Sequence, residues 1–246
     1  MISETKFHPS TELLQEFAAG TLSAGLNIAI SAHVEFCELC CHKTSEFEAK
    51  AAIAWLQTSE KHSSSDYSDM IAKIVSQPQQ NHIEQQDPSL SEIHMLDHSV
   101  SLPRVLAKAA SNGLVWKKLS GGIKQAQLNI DDETQCEFIY MTPGSQTPAH
   151  KHQGSEITLV LDGSFSDELG EYNRSDFIMR TNKDVHQPRS DEGCLCFAVL
   201  DSPLTFTKGI ARLLNPINNY RFRRSMSQRA VSVSYTHLTL PTSDLV

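Results

Sequence analysis

His150 and His152 are separated by a single residue, and Glu156 follows four positions later. That spacing constrains the backbone more than any other feature of the chain. A strand repeats every two residues, so both imidazoles point to one face. Glu156 re-enters after a turn and brings a carboxylate beside them, and Gly144 and Gly163 permit tight turns at the two ends. His186 lies downstream as a third imidazole. Three imidazoles and one carboxylate form a donor set suited to zinc or another divalent transition metal such as Mn, Fe or Ni.

A chemically different set lies more than a hundred positions upstream. His33, Cys37 and Cys40 are spaced i, i+4, i+7. On a helix, or a helix entering a turn, this spacing puts all three side chains on one face. Two thiolates and an imidazole suit Zn²⁺, which prefers four N or S ligands in a tetrahedron. His8, just before the first predicted helix, is placed to supply the fourth. Cys41 and His42 are adjacent rivals that point to other faces of a helix. A module of about 75 residues buries only a limited core, so a metal brace makes physical sense there.

The net charge of −8 over 246 residues opposes direct nucleic-acid binding, which needs a basic footprint to neutralise phosphates. Residues 1–80 hold five Lys and no Arg against eight Glu and two Asp, an acidic balance that suits a basic protein partner. The Arg221, Arg223, Arg224 cluster is too small to reverse this. No stretch approaches the ~18 apolar residues of a membrane span. The N-terminus shows no basic region followed by an apolar run. The chain therefore reads as cytoplasmic, with its six cysteines reduced, metal-bound or redox-active rather than paired in structural disulfides.

Apolar periodicity predicts helices over 10–21, from about 24, over 38–58 and over 66–76. Ser10 caps the first and Gly20 stops it. The segment 77–97 is rich in Gln, Asn and Pro and reads as a linker. From 98 to 231 the pattern changes to short strands at 115–119, 125–130, 136–141, 156–161, 176–179 and 194–200, the signature of an all-β sandwich or barrel. Residues 232–246 join neither pattern. Positions 233–242 resemble a translated transposon-type sequencing adaptor, so this tail, with His237, is read as non-native.

Two resemblances rest on these residues. His8, with His33-x3-Cys37-x2-Cys40, resembles the zinc-binding anti-sigma domain over about residues 1–76, a small helical bundle that clamps an extracytoplasmic-function sigma factor. Gly144-x5-His150-x-His152-x3-Glu156-x6-Gly163 resembles the first cupin motif. The second cupin motif departs from pattern: His186 and Asp176 fit, but Ser175, Thr181 and Lys183 stand where Gly, Pro and Gly are usual, which puts the local turn geometry in question. Together the two halves resemble the ChrR-type anti-sigma factors. That resemblance implies an α+β two-domain chain, a helical bundle followed by a cupin barrel of the double-stranded β-helix or jelly-roll type. It implies a non-enzymatic negative regulator of transcription that holds a sigma factor inactive and releases it under singlet-oxygen or organic-peroxide stress. The other reading is a cupin-type metal-dependent dioxygenase with a helical appendage.

Cys194 and Cys196 fall where ChrR-type chains often carry a CxC in a late strand. Their Cα atoms in a regular strand lie roughly 6.5–7 Å apart, near the limit for a disulfide, so a bridge requires backbone distortion. They stand as a possible redox pair, or as two small buried strand residues.

Overall fold

The computed structural model of the protein describes residues 5–58, 67–76, 92–94, 99–119 and 121–230. Most of the predicted 77–97 linker and the whole 232–246 tail lie outside these residues.

Four helices come first. Helix α1 (Thr11–Ala19) begins where the Ser10 hydroxyl accepts from the Leu13 backbone N–H, and ends at Gly20, whose φ of 69° closes the last turn. Helices α2 (Ala24–Phe36) and α3 (Glu38–Thr58) are separated only by Cys37, which takes extended backbone angles. Helix α4 (Ser68–Ser76) buries none of its residues. A two-stranded ribbon, β1 (Glu92–His94) with β2 (Ser99–Ser101), follows, then the short helix α5 (Arg104–Ala109). The ribbon starts inside the segment read as linker.

The remainder is a curled antiparallel sheet. Its strands are β3 (Trp116–Lys118), β4 (Ile123–Leu128), β5 (Gln135–Met141), β6 (Ser145–Gln146), β7 (His150–His152) and β8 (Glu156–Asp167). They continue through β9 (Gly170–Asn173), β10 (Phe177–Arg180), β11 (Val185–His186), β12 (Arg189–Ser190), β13 (Cys194–Leu200) and β14 (Leu204–Phe206). The larger sheet runs β3-β4-β5-β13-β8-β12-β6, with β9 and β10 also paired to β8, and a smaller one runs β11-β7-β14. The chain ends its described part in a 3-10 turn, Ile210–Leu214, and helix α6 (Asn215–Ala230). This is the expected order of helices followed by a cupin-like β domain.

The two parts share one core. All seven residues of β13 are buried, which requires cover on both faces of the strand. Leu195, Phe197 and Val199 join Leu14, Ala29, Ile30, Leu106, Phe138 and Leu159 in one apolar cluster, so the helices lie on the outer face of the sheet. Cys194 and Cys196 point the other way, with Ile123, Met141, Val160, Phe165, Tyr172 and Ile178, into the barrel. Polar contacts reinforce the seam. The Gly25 N–H donates to Asp131 Oδ2 at 2.6 Å, and both Glu35 carboxylate oxygens accept from the Arg104 N–H at the start of α5. The prediction that the small helical module has little core of its own is answered partly by the sheet, which supplies the missing apolar surface.

Candidate metal centres

The break at Cys37 builds the first cluster. His33 sits in the last turn of α2, Cys37 at the junction and Cys40 in the first turn of α3. A single continuous helix is therefore not what aligns them; the kink is. The segment before Ser10 brings His8 across, with Nδ1 3.4 Å from both the Cys37 and the Cys40 sulfur. One ligand atom from each of His8, His33, Cys37 and Cys40 lies within 4.8 Å of the others. His33, Cys37 and Cys40 are buried. Cys41 and His42 are exposed on the other side of α3, and His42 faces Glu46 instead.

The protonation chemistry fits a metal. His33 Nδ1 donates to the Ser175 carbonyl at 2.9 Å, which fixes the tautomer and leaves Nε2 as the acceptor. That Nε2 is buried with no hydrogen-bond partner, an orphaned lone pair that a cation would satisfy. Burial holds His33 down to about pKa 4, so the ring is neutral, the form that ligates. Burial, and then the neighbouring Cys37, push the Cys40 thiol up to about 12. Such a thiol loses its proton to a metal and not to water.

The second cluster lies inside the barrel. β7 carries His150 and His152 on one face, both buried, with Lys151 between them exposed. The antiparallel partner β11 delivers His186 directly opposite His150. One ring nitrogen of each of the three lies within 4.8 Å of the others. Glu156, at the start of β8, places Oε2 2.8 Å from His152 Nε2 and 3.8 Å from His186 Nε2. The carboxylate thus flanks two of the imidazoles but falls outside the mutually close trio. His150 Nδ1 donates to the Pro148 carbonyl at 2.9 Å, and His186 Nδ1 to Asp167 Oδ2 at 3.2 Å, so each presents Nε2 inward.

Burial lowers His150 to about pKa 4, assisted by His186. Burial also works against charge on His152, yet the Glu156 carboxylate overrides it and raises this imidazole. For Glu156 the same balance runs the other way: burial favours the neutral acid, but His152 and then His186 bring it down to about 2. Asp167 is held well below the usual carboxylate range because hydrogen bonds from His186, Leu169 and Arg180 outweigh its burial.

These values set a pH dependence for the metal-free chain. His33 and His150 have folded pKa values near 4, below the 6.5 of a free imidazole. As pH falls from 6.5 to 4 the unfolded chain takes up protons that the fold refuses, so stability drops. His152, raised in the fold, already contributes fully below 6.5, and Glu156 is lost only towards pH 2. The expected fall between pH 7 and pH 5 is about 2 kcal/mol for each of the two imidazoles. Urea midpoints of chelator-treated protein at the two pH values measure it; equal midpoints would contradict the assignment.

Two features of the motif differ from a local reading. Ser175, standing where the second cupin motif has glycine, keeps glycine's left-handed backbone with φ 74°, so the turn survives the substitution. Gly163 is not at a turn. It lies within the twelve-residue β8, beside an irregularity where the pairing with β13 shifts between Leu195 and Cys196. Cys194 and Cys196 sit at that distortion, buried, with sulfurs 3.9 Å apart. Cys194 and burial together push the Cys196 thiol well above its ordinary value. Asp167 and the Ser175 carbonyl are outer partners that sequence spacing does not reveal. Asp167 is 19 residues from His186, and a carbonyl has no residue-type signature.

Residues 107–202 match the ChrR cupin-like domain family. Over 216 residues the chain is 27% identical to the anti-sigma-E factor ChrR of Cereibacter sphaeroides, covering 86% of this chain and 97% of that protein. It also superposes on a solved structure of Rhodobacter sphaeroides SigE in complex with the anti-sigma ChrR. That match has a TM-score of 0.64 at 25% identity and covers 80% of this chain and all of the other. The chain is therefore similar to ChrR-type anti-sigma factors through both its helical and its β part.

Proposed function

We propose that this chain is an anti-sigma factor. Its helical part sequesters an extracytoplasmic-function sigma factor, and its cupin-like part governs release under oxidative stress. The observation that carries the proposal, beside the likeness to ChrR in both halves, is the surface of α4. Met70, Ile71, Ile74 and Val75 are each more than half exposed, although the helix is amphipathic in sequence. Tyr67 just before it, and Ile53 on α3, are exposed as well. Large apolar side chains held in water on a short helix mark a protein-docking surface, and the acidic balance of residues 1–80 suits a basic partner. No single helix among the described residues is long and apolar enough to cross a membrane.

In this reading zinc at His8, His33, Cys37 and Cys40 fixes the α2–α3 kink. His150, His152, Glu156 and His186 hold zinc or another divalent transition metal, and no residue is assigned a catalytic role. The metal would supply Lewis acidity and a fixed charge at the barrel centre. The protein supplies imidazoles whose Nε2 atoms are turned inward by hydrogen bonds to Pro148 and Asp167. The oxidant acts at or near this centre. The Cys194–Cys196 pair ranks second as a sensing element, since a thiol held so firmly protonated is a poor nucleophile.

Co-expression with the extracytoplasmic-function sigma factors of the same genome tests the proposal. One of them should co-purify with the full chain. The double variant Met70→Glu/Ile74→Glu should lose it while keeping its metal content and melting temperature. Capture unaffected by these charges would remove the docking surface, and capture of none would remove the function.

A further inference from the structure

Each metal cluster is braced from outside its own segment, and one interrupted strand reaches both. It consists of β9, the irregular turn Arg174–Asp176 and β10, whose two strand segments each pair antiparallel with successive parts of β8. At the turn, the Ser175 carbonyl accepts from His33 Nδ1. Asp176 Oδ1 accepts the backbone N–H groups of Lys6 at 2.7 Å and Phe7 at 3.1 Å, while its Oδ2 accepts from Asn173 and closes the turn. The Phe177 N–H donates to the Phe7 carbonyl at 2.9 Å. The segment that carries His8 is therefore pinned to the β domain immediately before the ligand. Ser175 is the only left-handed non-glycine among the described residues, and such strain persists only where its surroundings over-determine it. Here they include Thr5, whose hydroxyl meets that of Ser175 at 2.6 Å.

The same interrupted strand also serves the barrel cluster. Asp167, on the strand paired with β9, accepts from His186, from the Tyr172 hydroxyl at 3.0 Å and from Arg180 at 3.0 Å. Arg180 on β10 lies in register with Glu156 on β8. Arg180 also covers the Tyr172 ring, and a further contact of that ring closes the circuit: it packs on Phe7 with centroids 5.0 Å apart. From His186 the connected groups run through Asp167, Tyr172 and Phe7 to His8, without passing through the shared apolar core.

We infer that this interrupted strand is a common outer shell of the two clusters. Asp176, Ser175 and Phe7 are positioning residues for the Cys-containing site, Asp167 ties the same strand to the histidine site, and metal held at one site tightens metal binding at the other. The inference rests on the reading that both clusters bind metal, and it gives the proposed release mechanism a physical route. A ligand shifts a coupled element only through contacts that differ between its states. His186 supplies that difference when its Nε2 is engaged and its Nδ1–H is committed to Asp167. The coupling is reciprocal by thermodynamic necessity, and such couplings amount to roughly 5–150-fold.

The test uses the full chain without sigma factor. Co²⁺ at the Cys-containing cluster gives a thiolate-to-metal charge-transfer absorption that the histidine cluster, with nitrogen and oxygen donors, does not. The rate at which a chelator removes this band is compared between the unsubstituted chain and His150→Ala/His152→Ala. Release should be about tenfold faster in the double variant. In a Phe7→Ala background that ratio should fall towards one. Asp167→Asn, which keeps every ligand of both clusters, should by itself speed release several-fold, and it tests the route independently if the double histidine variant does not fold.

Equal release rates for the unsubstituted chain and Asp167→Asn, or a ratio untouched by Phe7→Ala, would overturn the coupling. Coupling without sigma capture would sink only the anti-sigma reading, and capture without coupling only this inference. Absence of a cobalt–thiolate band would remove the metal assignment beneath it.

Discussion

Cys40→Ser should release the metal of the N-terminal cluster and lower stability by at least about 3 kcal/mol, the low end for losing a structural metal site. For a chain of this length that corresponds to a fall in melting temperature of about 10 °C. Cys40 is 1% exposed, and its sulfur lies beside His8 Nδ1. Cys37 takes a non-helical conformation between α2 and α3, and its side chain and that of Cys40 face the same two histidines. Serine is nearly isosteric, so packing loss contributes little; the effect comes from losing a thiolate donor. Cys41→Ser is the control. Its thiol is exposed on the opposite side of α3, so metal content and melting temperature should not change. Capture of the proposed sigma partner should fall with Cys40→Ser and persist with Cys41→Ser. A Cys40→Ser protein that keeps one metal per cluster and melts with the parent would show that these residues are packing thiols.

The clusters were legible to different depths. His150, His152 and Glu156 were readable because strand periodicity and ligand spacing are both local properties of sequence. His33, Cys37 and Cys40 were readable as a group, yet the spacing did not choose between a straight helix and a helix entering a turn; the backbone breaks at Cys37. The four N-terminal helices followed apolar periodicity closely. The cover on the outer face of β13 did not show itself, since Leu195, Phe197 and Val199 alternate with cysteines that are also buried. A strand apolar on both faces says that something lies on each side, and not what. Least visible were the groups that orient ligands. Asp176 matched a motif position, but its role in holding Lys6 and Phe7 depends on backbone N–H groups about 170 residues away. Long-range backbone partners carry no compositional signal.

Gly163→Ala should be the most damaging single-methyl change in the β domain, costing roughly 3 kcal/mol or more from backbone overlap combined with a left-handed φ. A Cβ at this position would stand 2.1 Å from the Gly193 carbonyl oxygen and 3.0 Å from the Cys194 Cα. Both are main-chain atoms of the paired strand and its lead-in, so no rotamer change relieves the clash. The backbone φ of 69° adds the Cβ–carbonyl strain of the left-handed region. The damage should spread to the histidine cluster, because β8 carries Glu156 before this point and Asp167 beyond it. Gly144→Ala makes the comparison decisive. Its φ is 73°, yet nothing lies within 4 Å of the added methyl, so only the conformational cost of about 1–2 kcal/mol applies. Read by spacing alone, the two glycines of the motif look equivalent, as turns at either end of the ligands. Urea unfolding and metal content of the two variants distinguish a turn from a strand irregularity pressed against its neighbour. Equal losses would mean that β8 can move away from Gly193, and that the backbone contact does not hold the ligand strand in place.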